Sequence, residues 1–217
     1  MEQKINDIKR YLREMKFSII FDEGQITLKN DLDSMNGKLP MFFGRSAQKK
    51  RNRYIEQIKS LDGVLTGSAA LSMYRINGVK IFKRYPNDLD FLVSRDSFMK
   101  FCGMNSFTRV TYTNTVVSLD FFTGRDRGND SYGNHRGYYF HTDFDVIGTD
   151  EEVGYEVVGD LKVAKLMDII NYKLHLIDNF MVSAKYYDRD AENEAKKHIN
   201  DLFMIVTTIA ANENKKT

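Results

Sequence analysis

A single cysteine, Cys102, in 217 residues excludes an internal disulfide. No His/Cys grouping has zinc-ligand spacing either, so neither staple is available to this fold and an intracellular home is the natural expectation. Prolines are as scarce, two in all, which argues against long disordered linkers. The net charge is only +2, too small to speak for or against a polyanionic partner. Long apolar runs are missing as well. The opening MEQKINDIKRYLREMK is charged throughout and lacks the apolar stretch of a signal peptide. The longest apolar run, near LFMIVTTIAA, is too short to span a bilayer. The sequence therefore reads as soluble and cytoplasmic.

What is present is material for a core. Hydrophobic residues make up 42% of the chain, with 15 Phe and 12 Tyr, enough to fold one domain, or one domain with a helical extension. Ile5, Ile8, Leu12 and Met15 recur at helical spacing, and FSIIF, the DEGQ turn and ITLKN read as a hairpin. After a loop through NGKLP comes RSAQKKRNR, residues 45–53, with five basic residues and no acid. It reads either as a phosphate-gripping segment or as the solvated start of the helix expected from Tyr54 to Leu61.

Further along, the pattern is that of a mixed sheet. GVLTG predicts a short strand, a glycine turn and a helix opening at Ser68. DLDFLV predicts a strand whose alternation puts Asp88, Asp90 and Leu92 on one face and Leu89, Phe91 and Val93 on the other. A helix from Asp96 to about Cys102, then the strands FTRVTYT and TVVSLDFF, follow. TGRDRGNDSYGNHRG, residues 123–137, carries four glycines and reads as a loop, either a flap over a ligand or a long hairpin tip. YYFHTDFDVIG and GYEVVG complete the sheet. From Asp160 the period becomes helical, through Val163, Leu166, Met167, Ile170, Leu174 and Ile177. Ala195, Ile199, Leu202, Phe203, Val206 and Ile209 mark a last helix. On that helical reading Lys162, Lys165 and Lys173 fall on one flank, away from the apolar stripe. The expected architecture is α/β (α+β): residues 1–60 as helix, hairpin and basic segment, 61–159 as a mixed-sheet core flanked by helices, and 160–217 as a helical C-terminal part.

The chemistry concentrates on acids placed inside strands. Carboxylates there are costly unless something positive meets them. Asp88 and Asp90, with Asp120 mid-strand between Leu119 and Phe121, are hard oxygen donors on rigid elements, as a Mg²⁺ pair for phosphoryl transfer requires. Gly67 lets a backbone approach closely, and Ser68 offers a hydroxyl at a helix start to phosphate oxygens. Against these stand blander roles: a strand end after Pro-Asn, and a turn with an N-cap. A second pair, Asp143 and Asp145, lacks a Gly-Ser partner upstream and reads as peripheral. As a metal site it would instead suggest a glycosyltransferase using a nucleotide-sugar. His135 and His141 read as surface histidines.

TGSAAL followed by NDLDFLV resembles the GS…DxD signature of the nucleotidyltransferase superfamily, the DNA polymerase beta-like fold, with Asp120 of VSLDFF in the place of the third carboxylate. Within it the chain is most similar to AbiEii-type toxins, through VVGDLKVAKLMDII and the later Lys197-His198-Ile199-Asn200-Asp201-Leu202. The resemblance covers about residues 62–206. The interval from Ser68 to Asp88 is longer than usual, and His198 stands where the family tends to carry an acid.

The resemblance implies a metal-dependent transferase moving a nucleotide from an NTP such as ATP to an acceptor hydroxyl. Asp88, Asp90 and Asp120 would be catalytic and would hold two Mg²⁺ ions. Gly67, Ser68 and Lys165 would bind the nucleotide, with Asp201 orienting Lys165. Lys197 and Asp201 alternatively form a plain i,i+4 pair. The implied acceptor is an RNA (tRNA) 3′ end, a protein side chain or an aminoglycoside-like small molecule, and toxin–antitoxin systems add an antitoxin protein as partner. A non-catalytic nucleotide- or RNA-binding module of the same fold is the other reading.

Overall fold

A computed structural model describes residues 2–14, 26–36, 44–86, 88–105, 117–119, 144–149, 152–184 and 189–213. By contacts the chain divides into two compact units, one of residues 30–70 and 85–165 and one of residues 1–29, 71–84 and 166–217.

The first unit is built on a mixed sheet of strands β2 (Val64–Thr66), β5 (Leu89–Ser94), β6 (Val117–Leu119), β7 (Phe144–Thr149), β8 (Tyr155–Val158) and β9 (Leu161–Ala164), in the order β6-β7-β5-β2-β9-β8. β2 pairs antiparallel with β5 and parallel with β9, and β5 pairs parallel with β7. Alternation along β5 is as the sequence expects: Leu89, Phe91 and Val93 are buried, and Asp90 and Leu92 are half-buried. Val64, Leu65 and Thr66 are all buried, as suits a strand with partners on both edges.

Helix α3 (Gly44–Ser60) starts well before Tyr54, so the whole basic run is helical. Its buried stripe, Arg51, Tyr54, Ile55 and Ile58, has the i, i+3, i+4, i+7 spacing of a helix docked by one face. Tyr54 meets Phe101 edge-on, with centroids 5.7 Å apart. The helix ends in a paired closure: Gly63 N–H donates to Ile58 O at 2.9 Å, Asp62 N–H donates to Lys59 O at 3.2 Å, and Asp62 takes φ +61°. Helix α5 (Arg95–Met104) follows β5 directly, capped by Ser94, whose Oγ accepts from Ser97 N–H at 3.1 Å. It buries Phe98, Phe101 and Cys102. Short helices α2 (Leu32–Asn36) and α4 (Gly67–Leu71) complete the described elements here.

The second unit combines helix α1 (Glu2–Glu14), a small sheet of β1 (Ile26–Leu28), β3 (Tyr74–Ile76) and β4 (Val79–Lys80), and long helices α6 (Leu166–Ala184) and α7 (Arg189–Glu213). Ile5 and Ile8 bury the inner stripe of α1. β3 and β4 form a hairpin closed by Asn77-Gly78, both at positive φ, +49° and +78°, which suits the right-handed twist of a two-residue turn. α6 contributes Leu166, Ile169, Ile170 and Ile177 to the core, and α7 contributes Ala195, Ile199, Leu202, Ile205, Val206 and Ile209.

Several expectations change here. ITLKN pairs antiparallel with β3, while FSIIF and DEGQ lie outside the described residues. The helical period does not begin at Asp160, because residues 161–164 are strand β9 and α6 opens at Leu166. Phe203 is exposed rather than buried, with the Lys4 ammonium 5.0 Å from its ring centroid. FTRVTYT and the 123–137 loop also lie outside the described residues.

Candidate functional site

β2 ends at Thr66, the chain turns at Gly67, and α4 begins. The β2–β5 register sets Thr66 opposite Asp90, which brings the glycine turn beside the acidic end of β5. Gly67 has φ +63°, a left-handed conformation, and a Cβ placed on it would overlap Asp90 Oδ2 and stand 3.0 Å from Asp90 Cγ. Both the backbone conformation and the carboxylate against its Cα favour glycine there. Ser68 follows, 7% exposed. Asp88 lies one residue before β5, and both Asp88 and Asp90 are half-buried. The structure thus brings Gly67, Ser68, Asp88 and Asp90 to one end of β2 and β5.

Asp120 follows directly on β6 and lies outside the described residues, as do Asp143, His135 and His141. Asp145 is closer to the acids than its sequence context suggests. β7 runs parallel to β5 with Asp145 directly opposite Asp90, so its backbone position adjoins the acidic end of β5 rather than the periphery. The signal was in DFDV, a second acid pair at strand spacing. Among the described residues no group of three or more His, Cys, Asp or Glu side chains could hold a metal.

Lys165 is exposed in the joint between β9 and α6, its N–H donating to Gly154 O at 3.0 Å. The three lysines expected on one helical flank have separate fates, because only Lys173 is in the helix. Lys162, in β9, pairs with Asp62 at 2.8 Å and lies 4.6 Å from the Tyr155 ring centroid, and the Asp62 carboxylate holds its pKa up. Lys173 is 3% exposed, and its Nζ stands 2.9 Å from Asp201 Oδ2.

Asp201, 2% exposed, also accepts two bonds from Arg84, Nε to Oδ1 at 3.1 Å and Nη2 to Oδ2 at 3.0 Å. Burial works to raise its pKa, but Lys173 and Arg84 outweigh it and the carboxyl is held below its usual range. Asp201 is thus bound by Lys173 and Arg84, against the expectation that it orients Lys165. Lys197 pairs with Glu194 at 3.2 Å, not with Asp201. His198 is stacked on Phe180, with Nδ1 3.3 Å from the Lys173 ammonium. Burial and the neighbouring Lys173 and Lys197 charges push its pKa down to about 4. A neutral imidazole fits this position, where an acid would add a second carboxylate to the cluster.

A cleft of about 580 Å³ opens at the other end of β2 and β5, away from Gly67 and Asp90. Val64, Leu92, the start of α5, Tyr155 and Lys162 line it. It is not continuous with the acidic end through any of its lining residues.

No family model matches the chain, and no curated protein matches it. One solved structure, titled "putative nucleotidyltransferase from H. pylori", is similar at 13% identity over 77% of this chain and 81% of that one, with a TM-score of 0.30. A superposition that loose carries no argument about this chain. Among the described residues no helix is long and apolar enough to cross a membrane.

Proposed function

We propose that the chain is a metal-dependent nucleotidyltransferase that moves a nucleotide from an NTP to an acceptor hydroxyl, with an RNA 3′ end as the acceptor and a toxin-like role. The observation that carries this reading is the Asp90 carboxylate set against Gly67, with Asp88 two residues away on the same strand end. It matches the GS…DxD pattern that the sequence resembles.

The donors fit magnesium: two half-exposed carboxylates on a strand end beside a residue without a side chain. Asp88 and Asp90 would hold the ion, with Asp120 as the third acid, and the ion would supply neutralisation of phosphate charge. Gly67 gives its side-chain space to the Asp90 carboxylate, and the turn's backbone N–H groups with the Ser68 hydroxyl would meet a phosphate oxygen. Lys165, exposed at the β9–α6 joint, supplies a cation for the phosphates. Asp120 takes the proton of the acceptor hydroxyl as its oxygen bonds to the α-phosphate and the α–β phosphoanhydride breaks, releasing pyrophosphate.

The register favours a second assignment of the third acid. Asp145 stands opposite Asp90 on the neighbouring parallel strand, the place a shared ligand set needs a neighbour. Incubation with radiolabelled NTPs, Mg²⁺ and total RNA tests the proposal: labelled RNA supports it, and label on a small molecule alone moves the acceptor to the aminoglycoside-like class. No label on any product, with no stabilisation of the protein by NTP and Mg²⁺, contradicts it. Comparing Asp120→Asn with Asp145→Asn identifies the third acid as the one whose loss abolishes transfer.

A further inference from the structure

The basic run on α3 is not absorbed by the site above, and the helix separates its charges by face. Arg51 is 3% exposed and sits in the buried stripe with Tyr54, Ile55 and Ile58. Lys49 and Arg53, four residues apart, fall on the opposite side and are exposed. Steps of four advance about 6 Å along a helix axis. The two are therefore neighbouring cations, about one helical turn apart, on the solvent side.

Neither Lys49 nor Arg53 is neutralised by an acid of the fold among the described residues; Arg53 instead donates to Asn105 Oδ1 at 3.2 Å and lies 5.2 Å from the Tyr54 ring centroid. The next acid on this face, Glu56, is paired with Lys59 at 3.1 Å, so it does not cancel them. A fold gains little from like charges left unpaired in line, whereas a polyanion neutralises them and releases its counterions.

We infer that the outer face of α3, through Lys49 and Arg53, binds the phosphodiester backbone of single-stranded RNA. The choice of RNA rests on the proposed acceptor. Arg53 is held by Asn105 and Tyr54 and so presents its guanidinium in a fixed place, while Lys49 acts as a mobile point charge. Phosphate contacts of this kind position a strand without reading its bases, so binding is expected to tolerate sequence.

The test is fluorescence anisotropy with a labelled oligouridylate across a salt series, on the full chain without NTP or metal. The double variant Lys49→Ala/Arg53→Ala should lower the slope of log K against log salt by about 1.4, two contacts at about 0.7 each for a single strand. Lys49→Gln, which breaks no internal bond, should lower it by about 0.7 and keeps the test valid if the double variant folds poorly. An unchanged slope in Lys49→Gln, or no binding by the parent chain at low salt, overturns the inference. Tighter binding to duplex DNA of equal length also overturns it and assigns the face to another polyanion. Running the same titration on Asp88→Asn/Asp90→Asn separates this claim from the proposed activity: RNA binding should survive there whether or not any transfer exists.

Discussion

Lys173 Nζ and Asp201 Oδ2 are 2.9 Å apart, and both side chains are almost wholly buried between α6 and α7, with Arg84 as the second cation on the same carboxylate. A lysine so placed is tolerable only while its counter-charge stays. Asp201→Ala should therefore cost about 3–5 kcal/mol in urea unfolding, the penalty of stranding a buried charge. Adding Lys173→Met to that variant should restore part of the loss, because the stranded charge is then gone. Equal loss in single and double variants would contradict the pairing.

The same cluster sets a pH dependence. His198 binds its proton with a pKa of about 4 in the fold against 6.5 unfolded, so between those values the unfolded chain holds more protons. Stability is then fully present above 6.5 and falls as pH drops toward about 4, by at most about 1.4 kcal/mol per pH unit for one proton. Asp201 acts lower on the scale: its depressed carboxyl contributes stability above the usual carboxylate value, lost as pH falls through its folded pKa. Urea midpoints from pH 7 to pH 4.5 should decline in the parent chain and decline less in His198→Gln. Parallel declines in the two would contradict the assignment.

Gly67 carries a local prediction. Gly67→Ala places a Cβ where Asp90 Oδ2 lies and imposes φ +63° on a residue that resists it, so a loss of about 1–2 kcal/mol is expected. Asp90→Ala removes the obstruction but not the backbone strain. In a double-mutant cycle the second substitution should recover part of the loss, and strict additivity would contradict the close approach.

Cys102 is buried beside Phe101 on α5, and burial pushes its thiol up to about 11. At neutral pH it should react with iodoacetamide only after denaturant is added, as read by mass spectrometry. Rapid alkylation of the native chain would contradict the packing of α5.

The sequence made β5 and the Gly67 turn legible because each announces itself locally, through period-two alternation with an acid on the open face and a glycine where φ must be positive. β9 is hidden because LKVA runs straight into a helical pattern, and four residues with Leu161 and Val163 buried around Lys162 fit either period. The Asn77-Gly78 hairpin is not legible although its dipeptide is a strong turn signal, because the strands it joins, Tyr74–Ile76 and Val79–Lys80, are too short to show alternation. Lys173 was expected in solvent. Its burial depends on Asp201, 28 residues along the chain, and on Arg84, farther still, so no helical wheel could show the partners. Asp145 became visible as a neighbour of Asp90 only through strand register, which sequence spacing does not determine.

The central claim is that Asp88 and Asp90, set beside Gly67, make the chain transfer nucleotides. Its most direct test is label transfer from radiolabelled NTP by Asp88→Asn/Asp90→Asn, compared with the parent chain and with circular dichroism on both. The account predicts an intact fold, because asparagine keeps the size and hydrogen-bonding capacity of aspartate at two half-buried positions, and transfer reduced to background. Undiminished transfer by the folded double variant would contradict it.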